Sequence, residues 1–253
     1  MRPIEGGDID MGTPRVRSRH PRNGLGRLTL TDKQNRALLA LRQAWQRLAL
    51  HIVSLERMKP PIAVGISSSI AGEGKTTSAI GLATAFASET TEKVLLIEGD
   101  FLNPSMAEDI GVDPAPGIAE YLLRRNDLHA AMCHTALKNM YFIPAGDIPG
   151  LEVPQSPYDL STRLRKEMPG LLHTLKQQFT FIVMDLPPVL SDVNAEEIGR
   201  LLDGTLLVVR AGLTPLQMMK DAASLMQGEK FLGVVYLGPP SPVPRWLADL
   251  LLE

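Results

Sequence analysis

Residues Ser69 to Thr77 read SIAGEGKTT and follow directly on an apolar run, Ile62-Ala63-Val64-Gly65-Ile66, that has the character of a buried strand. The chemistry such a loop can do is phosphate binding. Gly72 and Gly74 permit the backbone to curl into a concave ring of N–H groups that any Cβ would obstruct. Lys75 adds a point charge for the β- and γ-phosphates, and the Thr76 hydroxyl is a ligand for Mg²⁺. Thr77 to Ala87 has helical spacing, so the dipole of its N-terminus points at the anion. Ala71, Gly72, Glu73, Gly74, Lys75, Thr76 and Thr77 are the candidate nucleotide contacts, with ATP and Mg²⁺ as the expected cofactors. Ser69 stands at the first position of the GxxxxGKT pattern in place of Gly, a small departure.

Two other apolar runs end in acids. Phe181-Ile-Val-Met184 closes on Asp185, and Val94-Leu-Leu-Ile97 closes on Glu98-Gly-Asp100. In an open α/β sheet the ligand sits beyond the carboxyl ends of the strands, so these acids point at the same place as the loop. Asp185 is expected to hold Mg²⁺ directly or through water. Glu98 and Asp100 are two residues apart, which in an extended chain puts them on one side. One of them can polarise an attacking hydroxyl or water while the other assists the metal. The metal set predicted here is Thr76, Glu98, Asp100 and Asp185, and the catalytic set is Lys75, Asp100 and Asp185.

The elements that must position these groups alternate. Met140 to Pro144, Thr205 to Val209 and Phe231 to Val235 read as further strands; Leu160 to Gln178, Ala195 to Leu202 and Leu216 to Met226 read as helices, with a closing helix at Trp246 to Leu252. Short aliphatic runs separated by helices imply an α/β fold: a mostly parallel, doubly wound sheet with helices on both faces. Three segments are expected: residues 1–30 as a flexible basic arm, 31–58 as a helix with a heptad seam, and 59–253 as the phosphate-loop domain. The seam is Leu38, Leu41, Trp45, Leu48, Ile52 and Leu55, and periodicity leaves open whether it packs on its own domain or on a partner helix. His129, Cys133 and His134 lie close together but read as a helix surface, not a metal site.

Bulk numbers narrow the function. The chain has 253 residues, 44% apolar and 21% charged, and a net charge of −2. Residues 1–30 carry six Arg against three acids, while in the remainder acids outnumber bases by 25 to 20, so nucleic acid is not an expected partner. Cys133 is the single cysteine, which excludes an internal disulfide and fits a reducing compartment. No run approaches eighteen uninterrupted apolar residues. The expectation is a cytoplasmic protein, peripheral at the inner membrane through a partner.

SIAGEGKTT, VLLIEGDFLNP at 94–104, FIVMDLPPVLSDVNA at 181–195 and TLLVVRAGLTP at 205–215 together resemble the bacterial tyrosine kinases, within the MinD/ParA-like branch of phosphate-loop proteins. The phrase GEGKTT and the pair Pro187-Pro188 are the most particular marks. The resemblance implies ATP·Mg²⁺ bound between subunits of a homo-oligomer, with a membrane-embedded polysaccharide chain-length regulator, or co-polymerase, as partner. It also implies phosphate and metal roles for Lys75 and Thr76, a base at Asp100, a metal anchor at Asp185 and a nucleotide contact at Arg210. The function so implied is regulation of exopolysaccharide or capsule assembly, with ATPase or weakened tyrosine autokinase activity.

The pattern is departed from in several places. Glu98 replaces an Asp, and Leu102 occupies an Arg position. Gln43, Gln46 and Ala49 replace the Glu and two Arg that join neighbouring subunits, which weakens the case for the usual ring. Leu237 stands where an Asn faces adenine, and the tail PSPVPRWLADLLLE has no tyrosine. Tyr121, Tyr141, Tyr158 and Tyr236 all fall in or beside predicted elements, so autophosphorylation of a tail is not available. Competing readings are a MinD/ParA-type positioning ATPase and a catalytically inactive adaptor of a polysaccharide export complex. Ile70 stands where the positioning ATPases carry a signature Lys, which counts against the first.

Overall fold

The computed structural model describes residues 32–124, 127–147, 157–226 and 230–238. The chain runs α1 (Asp32–Ser54), β1 (Ile62–Ser68), α2 (Lys75–Glu89), β2 (Val94–Glu98), α3 (Met106–Ile110), α4 (Ile118–Arg124), α5 (Leu128–Ala131), β3 (Cys133–His134) and β4 (Met140–Ile143). It continues through α6 (Pro157–Lys176), β5 (Phe181–Asp185), α7 (Val193–Leu201), β6 (Gly204–Arg210), α8 (Leu216–Met226) and β7 (Phe231–Leu237). The sheet order is β3-β4-β2-β5-β1-β6-β7, and each neighbouring pair is parallel except β3–β4 at one edge. The α/β fold expected from alternating strands and helices is the one observed. The basic arm, with Arg15, Arg17, Arg19 and Arg22, and the Trp246 to Leu252 segment lie outside the described residues.

The strands read as unbroken apolar runs because both faces are covered. One face buries Leu95, Ile97, Ile182 and Met184 under Ile118, Leu164, Leu171 and Ile198. The other buries Ile62, Val64, Leu96 and Val183 under Leu82, Phe86, Ile52 and Met106. Each fully buried aliphatic side chain contributes on the order of 2 kcal/mol. Asp203 ties the layers at the far end of the sheet, accepting from the Ala63 N–H at 2.7 Å and pairing with Lys176 at 2.6 Å.

The open question about the N-terminal helix is answered by packing. Trp45, Ala49 and Ile52 are buried in the cluster formed with α2 and the sheet, with Leu48 and Leu55 packed against it. The Trp45 ring lies directly on Gly81 of α2, where an added Cβ would come within 2.6 Å of its Nε1. Gln46 donates to the Glu89 carboxylate at 2.6 Å. The seam therefore serves its own domain from Trp45 onward, whereas Leu41 is 44% exposed.

The reading of His129, Cys133 and His134 as one helix surface is corrected. His129 is in α5, but Cys133 and His134 form β3, antiparallel to β4, and the His134 ring lies 4.7 Å from that of Tyr141. A two-residue strand is made by its partner's backbone, which leaves no period in the sequence to detect. Among the described residues no helix is long and apolar enough to cross a membrane.

Trp45→Ala is expected to lower unfolding stability by about 3 kcal/mol, since it removes a large buried ring from a close helix contact. Urea unfolding followed by circular dichroism measures it; a loss below about 1 kcal/mol would show that α1 is only loosely attached.

Candidate functional site

Parallel strands end on the same side of a sheet, and their register here gathers the acids. Asp185, closing β5, is paired with Glu98 on β2 and with Ile66 on β1. Two residues beyond Ile66, β1 ends and the chain turns through Ser69–Gly74 into α2. Gly72 and Gly74 have φ of 84° and 93°, values that L side chains rarely adopt. A Cβ on Gly74 would also approach the Leu237 side chain to 2.8 Å. The Pro187-Pro188 turn walls the loop: the Ser67 hydroxyl donates to the Pro187 carbonyl at 2.7 Å, and the Val189 N–H donates to the Ser68 carbonyl at 2.8 Å. Ala71, Gly72 and Thr77 are exposed at the mouth.

Lys75, Thr76, Asp100 and Asp185 converge beneath that loop. The Lys75 Nζ lies 2.8 Å from Asp100 Oδ2 and 3.6 Å from Asp185 Oδ2, with only 9% of the residue exposed. Thr76 donates its hydroxyl to Asp185 Oδ2 at 2.7 Å. The second oxygen of Asp100 accepts from the Asn103 N–H at 3.1 Å. Asp185 Oδ1, by contrast, is buried without a hydrogen-bond partner. Leaving such an acceptor unmet costs on the order of 2 kcal/mol, and a cation at that oxygen removes the cost. Two carboxylates and a hydroxyl are hard oxygen donors that leave most of the coordination shell to water and phosphate, as Mg²⁺ prefers. The donor set fits that ion. Among the described residues no three His, Cys, Asp or Glu side chains form a metal cage of their own.

Burial lifts the Asp185 carboxyl to about 6, and the neighbouring Asp100 and Glu98 charges push the same way. Lys75 and the Thr76 hydroxyl pull it down, but by less. The folded protein therefore holds a proton at Asp185 over a range, from roughly pH 4 to 6, in which the unfolded chain has lost it. That contribution to stability is present at low pH and disappears as the pH rises through about 6.

Glu98 is placed differently from the sequence expectation, and its assignment to the metal set is revised. Its Oε1 accepts from the Ser105 and Met106 N–H groups at 2.7 and 2.6 Å, and its Oε2 accepts from the Ala145 N–H at 3.1 Å. β2 ends at Glu98 and the Gly99 N–H donates to the Asp185 carbonyl, so the alternation that would align Glu98 with Asp100 stops one residue too early. Glu73 also turns inward: it is fully buried, accepting from the Ile70 N–H and from the Thr214 hydroxyl. Arg210 sits at the rim with its guanidinium donating to the Gly72 carbonyl at 3.3 Å. Thr214 and Ser67 are the loop-fastening residues that sequence reasoning passed over. Ser67 carries no motif signal, and Thr214 lies in the 205–215 motif with no role marked for it, so only the need of a buried Glu73 for a donor could have pointed to it.

A family profile described as "AAA domain" matches residues 62–208. Tyrosine-protein kinase CpsD of Streptococcus pneumoniae is 30% identical over 178 residues, covering 68% of this chain and 74% of that one. Tyrosine-protein kinase YwqD of Bacillus subtilis is 29% identical over 177 residues, covering 69% and 71%. The solved kinase domain of Escherichia coli tyrosine kinase ETK superposes with a TM-score of 0.69 at 23% identity, covering 82% of this chain and 78% of that one, which is a likeness of fold.

The charge state of Asp185 offers a test that needs no relative. Asp185→Asn is expected to be more stable than the ligand-free wild type at pH 7.5, by on the order of 2 kcal/mol. The gap should close as the pH falls below about 5, where both side chains are neutral. Urea unfolding at several pH values reads this out, and a gap that does not change with pH would show that Asp185 is ionised throughout.

Proposed function

This chain belongs to the bacterial tyrosine-protein kinase family, and from that premise we propose that it is an ATP·Mg²⁺-dependent switch of a capsule or exopolysaccharide assembly system, with slow phosphate chemistry. The observation that carries the reading is the Lys75 ammonium clasped between Asp100 and Asp185 under a glycine-turned loop, with Asp185 Oδ1 unmet. In this reading Lys75 and the amides of residues 72–77 hold phosphate oxygens, while Thr76 and Asp185 hold the metal, with Asp100 close by. The nucleotide supplies the phosphoryl group. Lys75 pairs with Asp100, so an ammonium drawn to phosphate would leave Asp100 able to accept a proton from an attacking hydroxyl.

Several features support slow chemistry. Leu102 is 60% exposed at the position where the resemblance implies Arg, so one cation is missing from the rim. Leu237 rests against Gly74 where an adenine-facing Asn is implied. Tyr121, Tyr141, Tyr158 and Tyr236 lie in α4, β4, α6 and β7, respectively. Gln46 and Ala49 are engaged within the subunit, so the homo-oligomer proposed for this protein does not rely on them. A membrane-embedded polysaccharide co-polymerase is the proposed partner, which would bring the protein to the inner membrane. The MinD/ParA positioning role and the inactive adaptor remain the readings that the following tests would favour if this one fails.

Calorimetric titration with Mg·ATP should show binding by wild type and a loss of at least about a hundredfold in Lys75→Met. That variant should also be less stable, because two buried carboxylates lose their cation. Circular dichroism confirms its fold before binding is compared, and wild type that binds no nucleotide leaves only the adaptor.

Leu102→Arg should raise ATP hydrolysis or phosphotransfer by about tenfold or more, since a rim cation aids developing phosphate charge and the exposed position accepts a long side chain. Glu98 is left unchanged in that test, because shortening it would break its hydrogen bonds to the backbone. A rate equal to wild type would place the deficit elsewhere.

A further inference from the structure

Glu73 lies inside the phosphate loop, and nothing in phosphate binding calls for a carboxylate there. It is fully buried, and among the described residues its carboxylate makes no ion pair. A buried carboxylate satisfied only by neutral donors is costly, and its charge also opposes a polyanion. An apolar side chain would serve the fold better. What Glu73 does provide is a fastening at two ends. Its Oε2 accepts from the Ile70 N–H at 2.7 Å, which closes the loop on itself across three residues. Its Oε1 accepts from the Thr214 hydroxyl, which ties the loop to the turn after β6.

Thr214 is itself held. Its Oγ1 lies 3.3 Å from both the N–H and the carbonyl of Arg210, the last residue of β6. Arg210 in turn reaches the Gly72 carbonyl. The turn from Arg210 to Thr214 thus grips the loop at two successive residues, Gly72 and Glu73.

We propose that Glu73 and Thr214 are a positioning pair: through them the turn after β6 holds the phosphate loop in its ring conformation and so sets the affinity for ATP. This rests on the nucleotide reading above. The two side chains act through the loop backbone and do not themselves touch the nucleotide. Removing either side chain releases the tie between turn and loop, and removing Glu73 also frees the Ile70 N–H.

The test is calorimetric titration of the full chain with Mg·ATP, well below the melting transition of each variant. Thr214→Val and Glu73→Ala should each weaken binding by about tenfold, and the double variant should be no weaker than the worse single one. Thr214→Ser, which keeps the hydroxyl, should bind within about twofold of wild type. Losses that multiply in the double variant, or a Thr214→Ser loss equal to that of Thr214→Val, would overturn the pair. Thr214→Val binding as tightly as wild type would overturn it too while leaving the nucleotide site standing. Wild type that binds no ATP would overturn both.

Discussion

Around the phosphate loop, four of the described carboxylates are buried, and one ammonium group stands among them. Glu73, Glu98, Asp100 and Asp185 are each at most 3% exposed, and Lys75 is 9% exposed. Charges cannot be taken out of water without compensation, so each acid must find its own. Glu98 finds three backbone N–H groups, Glu73 an amide and a hydroxyl, and Asp100 an amide and Lys75. Asp185 is left short: one oxygen accepts from Thr76 and lies at the longer distance from Lys75, and the other has nothing. The unmet acid is the one aimed at the loop, which is why the local charge balance calls for a cation.

The fold makes this imbalance possible. A parallel sheet delivers several strand ends to one edge, and the turns that follow those strands bury the acids there. Asp185 sits one strand away from Glu98 and one from Ile66, so no movement of the backbone is needed to bring acid and loop together. Rigid placement by packed strands is also what a phosphate site needs, since its work is positioning and electrostatics.

Family membership and the individual geometry say different things. The chain has the phosphate loop, the Mg²⁺-type hydroxyl and the strand-end acids of a bacterial tyrosine-protein kinase. Around them, Leu102, Gln46, Ala49 and Leu237 occupy positions where the resemblance implies charged or polar side chains. Three of these have gained other work: Gln46 bonds Glu89, Ala49 is core, and Leu237 packs on Gly74. A site can keep the groups that bind while losing those that accelerate, because binding needs fixed amides and one ammonium whereas turnover needs added charge in the transition state.

What the residues determined alone was the family resemblance and the class of fold. GEGKTT after an apolar run, acids after apolar runs, and the regular alternation of strand with helix are local signals, set by glycine conformations, helix dipoles and periodicity. They were enough to single out Lys75, Thr76, Asp100 and Asp185, whose side chains the fold brings together. Which carboxylate would be used up by the backbone was not a local matter. Glu98 and Asp100 look alike in sequence, and only the end of β2 and the approach of residues 105–106 and 145 separated them. The side of the N-terminal helix that would be buried, the tie from Glu73 to Thr214 across 141 positions of chain and the two-residue strand β3 were likewise decided by tertiary contact. Hydrogen bonds and packing between distant segments depend on where the whole backbone goes, and no short stretch of sequence contains that.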